Sequence, residues 1–139
     1  MERPEDVVAA RILVVDDEPA VADLIEAILR EEGYVVALAR DGAQGLMLAR
    51  DWRPDLILMD VMLPSVDGGT AIRRLKSAPE TAGIPIVAMS AGSNLRQRTG
   101  ELDSADGALA KPFDVDALLA QVAFHLAHRA QTVNGGRDG

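Results

Sequence analysis

At 139 residues, 48% of them hydrophobic, the chain carries enough apolar material for one packed domain and little more. A formal net charge of −8 and a pI of about 4.6 disfavour direct contact with the phosphate backbone of DNA or RNA. Cysteine is absent, which excludes disulfides and thiol chemistry, and no apolar run approaches the ~18 residues of a membrane span.

The N-terminal stretch Met1 to Asp6 lacks the basic-then-apolar order of a secretory signal, so a soluble, cytoplasmic protein is expected. Residues 1–10 are expected to be a flexible arm, 11–129 the folded domain, and 130–139 a polar, Gly-rich frayed tail. Arg11 to Val15 is short, apolar and unbroken, the pattern of a strand buried on both faces. Pro19 suits the first turn of a helix, Val21, Leu24, Ile25, Ile28 and Leu29 follow at helical spacing, and Gly33 stops it. Tyr34 to Leu38 reads as a second strand. Asp41-Gly42 reads as a turn before a helix that turns Ala43, Leu46 and Met47 inward and ends at Arg53-Pro54. Asp55 to Asp60 is the third strand. A loop at Pro64 to Gly69 leads to a helix carrying Ala71, Ile72 and Leu75, broken at Pro79. Ile84 to Met89 is the fourth strand. The segment 93–104 is a weak helix, held only by Leu95 and Leu102 and interrupted by Gly100 at about 1 kcal/mol against alanine. It is expected to be the most mobile part of the domain. Leu109 marks a short fifth strand. Asp114 caps a final helix with the stripe Val115, Leu118, Leu119, Val122 and Leu126. His125 and His128 are expected to be exposed on that helix, and Trp52 and the methionines to pack in the core or at helix ends.

Five strands alternating with helices predict a doubly wound α/β domain, a parallel sheet with helices on both faces. Sites in such sheets lie at the C-terminal ends of the strands. The first strand runs into Asp16-Asp17, the third ends at Asp60, the fourth runs into Ser90, and the fifth runs into Lys111-Pro112. Three carboxylates at one edge repel unless a cation sits between them, and Mg²⁺ is the natural filler because it takes hard oxygen ligands and keeps several waters. Three acids, a hydroxyl and an ammonium together are equipment for moving a phosphoryl group.

In their order and spacing, Leu13-Val14-Val15-Asp16-Asp17-Glu18, Asp60-Val61-Met62-Leu63-Pro64 with Asp67-Gly68, Met89-Ser90-Ala91, and Lys111-Pro112-Phe113 resemble the receiver domain of bacterial two-component response regulators. The resemblance covers roughly Arg11 to Arg129. It implies a flavodoxin-like fold with strand order 2-1-3-4-5 and phosphorylation of Asp60 by a histidine kinase or phosphotransfer protein. Asp60 is then the nucleophile that becomes an acyl phosphate. Asp17 binds Mg²⁺ directly, Asp16 binds it mostly through water, and the Met62 carbonyl completes the set with Asp60. Lys111, the Ser90 hydroxyl and the Ala91 N–H hold phosphoryl oxygens. Family members hold the Lys111–Pro112 bond cis, and Phe113 is expected to pack inside.

Taken singly, these residues have plainer readings. Asp16, Asp17 and Glu18 fit the acids that a helix macrodipole favours at its N-terminus, and Glu18 is left out of the site on that ground. A lone Lys111 is a solvated lysine and a lone Ser90 a turn residue. The chain also departs from the family. Ala108 stands three residues before Lys111, where receivers usually carry the aromatic of their rotamer switch. The expected function is therefore a phosphoacceptor domain that signals by protein contact and loses phosphate slowly, with Met62 shielding the phosphoryl group. It is not expected to be a turnover enzyme, nor to bind nucleic acid or membrane. Two alternatives stand beside it. One is an atypical receiver that binds partners without phosphate. The other is a Mg²⁺ phosphohydrolase, which would need an acid two residues past Asp60, where this chain has Met62.

Overall fold

The computed structural model describes residues 9–62, 68–91 and 105–138. Five parallel strands lie in the order β2-β1-β3-β4-β5, as the resemblance implies. They are β1 (Arg11–Val15), β2 (Val35–Ala39), β3 (Leu56–Asp60), β4 (Ile86–Ala91) and β5 (Gly107–Lys111). The helices among the described residues are α1 (Pro19–Glu31), α2 (Gly42–Trp52), α3 (Gly68–Ser77) and α4 (Val115–Asp138). The segment 93–104, expected as a weak mobile helix, lies outside the described residues, as do residues 1–8 of the expected arm.

Strand side chains alternate between the two faces, and both faces are apolar, so the two cores are separate. Leu13, Val15, Ile57, Met59, Ile86 and Ala88 pack with Ala71, Ile72 and Leu75 of α3 and Ala49 of α2. Ile12, Val14, Leu56, Leu58, Val87 and Met89 pack with Ile25 and Leu29 of α1 and Leu118 and Val122 of α4. Each fully buried Leu, Ile or Met contributes roughly 1.5–3 kcal/mol, so the sheet is the most strongly held part of the fold.

The helix ends follow local chemistry. Pro19 opens α1, and Gly33, at φ +96°, takes the left-handed turn that ends it. Asp41 caps α2 by accepting the Gln44 N–H at 2.8 Å, so Asp41-Gly42 is a helix start and not a free turn. Asp114 caps α4 through the Ala117 N–H at 2.7 Å, as expected. Strand limits differ slightly from expectation. β2 begins and ends one residue later, and β4 two residues later, after Pro85, which has no N–H to give a ladder. Ser90, Ala91 and Lys111 are therefore the last residues of strands instead of residues just beyond them.

Several side chains face otherwise than expected. α2 buries Gly42, Gly45 and Ala49 while Ala43 and Met47 face outward. The cause is close approach to β1, since a Cβ on Gly45 would stand 2.9 Å from a methyl of Val15. Val115, the first residue of α4, is exposed, whereas Phe113 packs against the α1–α4 core as expected. Trp52 packs partly buried against the core; Met59 and Met89 are core residues, but Met47 and Met62 are about half exposed. His128 is exposed but His125 is buried, its ring seated against Gly107 and bonded through Nε2 to Gln121 Oε1 at 3.2 Å. Helical backbone in α4 extends to Asp138, covering the segment from Gln131 where composition predicts a frayed tail. Propagating a formed helix adds one hydrogen bond per residue fixed, which polar side chains do not forbid.

Candidate functional site

The parallel register lines up the strand ends. Val15 pairs with Met59 and Asp60 with Met89, so Asp16 and Asp60 follow on neighbouring strands, and Ser90 and Ala91 come next on β4. Ala91 in turn pairs with Lys111. Asp16 is fully buried. Its N–H donates to the Ala39 carbonyl of β2 at 3.0 Å, and its Oδ1 accepts the Glu18 N–H at 2.9 Å. Asp17, between them, is turned to solvent.

Asp60 is nearly buried, and its Oδ1 accepts the Met62 N–H at 2.9 Å. The half-buried Lys111, joined to Pro112 by a cis peptide bond as the resemblance implies, gathers the acids. Its Nζ lies 2.8 Å from Asp16 Oδ2, 3.3 Å from Asp60 Oδ2 and 3.3 Å from Glu18 Oε1. Glu18, excluded from the site on sequence grounds, thus belongs to its mouth. Its position at the N-cap of α1 hid this, but its side chain makes no capping bond and turns instead to Lys111. The cue in the sequence was Pro19, which fixes where the helix starts and leaves the preceding side chain outside it.

Electrostatics follow the burial. Loss of water raises the pKa of Asp60, and the Met62 N–H and the Lys111 charge only partly oppose this, with the Asp16 charge adding to the rise. Burial by itself would lower the pKa of Lys111, but its bond to Asp16 and the charge of Asp60 reverse that, and the net shift is upward. The ammonium is firmly charged. Ser90 is fully buried and its Oγ has no hydrogen-bond partner among the described residues. Ala108, on β5 opposite Ala88, is exposed.

Asp16, Asp17 and Asp60 each offer a carboxylate oxygen, and these oxygens lie within 4.8 Å of one another. Three hard oxygen donors that close, offset by a single lysine, fit a small divalent cation better than they fit one another. Beside them a cleft of about 300 Å³ is lined by Asp17, Glu18, Asp60, Met62 and Lys111. Among the described residues, no helix is long and apolar enough to cross a membrane.

A family model described as the response regulator receiver domain matches residues 12–123. Among curated proteins, the DNA-binding dual master transcriptional regulator RpaA of a Synechocystis strain is 45% identical over 113 residues, which is 81% of this chain and 47% of that protein. The response regulator PleD of Caulobacter vibrioides is 45% identical over 115 residues, 82% of this chain and 25% of that protein. The chain thus spans about half or less of the length of these relatives. Among solved structures, the receiver domain of a sensor histidine kinase from Pseudomonas aeruginosa PAO1, with a magnesium ion coordinated in its active site cleft, superposes with a TM-score of 0.80 at 35% identity. That match covers 86% of this chain and 99% of the other. A CheY-like receiver domain protein from Methanospirillum hungatei JF-1 gives a TM-score of 0.82 at 26% identity, covering 89% of this chain and 98% of the other.

Proposed function

This chain belongs to the response regulator receiver domain family, and we propose that within it Asp60 accepts a phosphoryl group from the phosphohistidine of a histidine kinase or phosphotransfer protein. One observation carries the assignment: a single ammonium, that of Lys111, lies against both Asp60 and Asp16 at the strand ends. An Asp60 carboxylate oxygen attacks phosphorus, a P–O bond forms, the P–N bond to the donor imidazole breaks, and the imidazole takes a proton from solvent. Lys111 gives one of its N–H donors to a phosphoryl oxygen, as a point charge. The Ser90 hydroxyl, without a partner among the described residues, and the Ala91 N–H serve the other oxygens. Asp16, Asp17, Asp60 and the Met62 carbonyl would hold Mg²⁺, which when bound supplies the positive charge that offsets the acids and the incoming group. Met62, half exposed at the cleft, covers the product and slows its hydrolysis.

The signal then passes to a protein partner. A net charge of −8 gives this chain little of its own to hold a phosphate backbone with. The exposed Ala108, in place of an aromatic, favours one other reading, a receiver whose partner contacts ignore phosphate. A small phosphodonor with Mg²⁺ decides between them. We expect parent protein to form an acyl phosphate and Asp60→Asn to form none while melting cooperatively. Equal labelling of the variant, or no labelling of the parent, removes the assignment.

A further inference from the structure

We propose that Glu18 is a positioning residue that holds the Lys111 ammonium at the mouth of the cleft and competes with the phosphoryl group for it. The proposal rests on the phosphoacceptor reading of Asp60. Lysine has three N–H donors, and carboxylate oxygens of Asp16, Asp60 and Glu18 lie at 2.8, 3.3 and 3.3 Å from Nζ. These partners are unequal. Asp16 is fully buried, uses both oxygens, one on the Glu18 N–H and one on Lys111, and anchors the lysine. Asp60 is the group that changes on phosphorylation. Glu18 has a side chain 60% exposed, does not cap its helix, and reaches Lys111 from the solvent side.

An N–H engaged by Glu18 is one the phosphoryl group does not have. When the donor enters, the ammonium must release a carboxylate, and Glu18 is the partner that water replaces at least cost. Its hold is that of an exposed ion pair, so release of the lysine should change the rate by about two- to fivefold. The effect belongs to formation of the acyl phosphate, since the Glu18 carboxylate bonds Lys111, and only the Glu18 backbone N–H, which both variants below keep, reaches a residue of the metal set, Asp16.

Charge and reach separate competition for the lysine from simple repulsion of an anionic donor. Glu18→Gln removes the charge. Glu18→Asp keeps the charge but draws the carboxylate back by one methylene, beyond the 3.3 Å contact. Competition predicts that both variants take phosphate from acetyl phosphate, with Mg²⁺, about two- to fivefold faster than the parent. Repulsion alone predicts that only Glu18→Gln is faster, and that added salt erases the gain; that result overturns the proposal, as do parent-like rates in both variants. A second measurement needs no phosphate. The side-chain Cε resonance of Lys111 in metal-free protein should move alike in both variants. An unmoved resonance overturns the contact itself, whatever the labelling shows. Should the parent fail to label while the resonance moves, the phosphoacceptor reading fails and the Lys111–Glu18 contact stands, but the competition it was proposed for fails with that reading.

Discussion

Ser90 is a buried residue whose hydroxyl packing alone does not explain. A buried hydroxyl left without a partner costs roughly 1–3 kcal/mol, and Ser90 Oγ is in that position among the described residues. Ser90→Ala is therefore expected to leave the melting temperature of the phosphate-free protein unchanged or raised, while slowing phosphoryl uptake on Asp60. A clear fall in melting temperature would show that the hydroxyl has a partner in solution and is structural. Asp60 differs in kind. Its pKa is raised, chiefly by burial, so its ionised form is held at a cost that Lys111 and the Met62 N–H only partly offset. That environment suits the phosphoacceptor role proposed for it, since a carboxyl serving stability alone would be better left in water.

The contact of α4 with β5 holds the protein's one buried histidine among the described residues. Gly107 makes it possible, because a Cβ there would meet the His125 ring and Gln121 Oε1. Burial lowers the pKa of His125 below the ordinary imidazole value, Asp106 opposes this, and His128 adds to it. The folded state thus favours the neutral ring. Its contribution to stability is complete above the ordinary value of about 6.5 and is lost as pH falls from there through the folded-state value. Between about pH 7.5 and about pH 5 the parent should lose melting temperature more steeply than His125→Gln, which has no proton to take up. Parallel curves would mean that the ring is as well hydrated folded as unfolded. Asp106 adds a separate tie at the same edge, accepting the Ile86 N–H and pairing with Lys76, each at 2.8 Å.

For the whole molecule, the acidic edge trades stability for binding. Asp16, Asp17 and Asp60 crowd their oxygens within 4.8 Å, so the fold carries like-charge repulsion that a bound Mg²⁺ would relieve. An ion that binds only the folded state stabilises it by about 2.7 kcal/mol at a hundredfold excess over its Kd. Melting temperature should rise with Mg²⁺ in the parent. Asp17→Asn should melt higher than the parent without metal and gain less from Mg²⁺, with affinity down by about tenfold or more. A variant that titrates like the parent would remove Asp17 from the site.

Much of this was legible in the sequence because it is written in local patterns. Apolar runs ending in acids marked strands and their functional ends, and Pro19, Gly33 and Asp114 marked helix limits. The spacing of Asp16-Asp17, Asp60, Ser90 and Lys111-Pro112 marked the family, which in turn supplied the strand order. What the local pattern could not decide was which way a side chain turns when elements meet. Gly45 faces β1 because α2 comes too close for a Cβ there, and Met47 is turned out in consequence. His125 is buried because Gly107, 18 positions earlier in the chain, leaves room for its ring. Glu18 joins the site because a lysine 93 residues away reaches it. Residue type and spacing determine the elements and the chemistry carried at their ends; distances between residues remote in the chain arise only when the sheet forms and the helices pack on it.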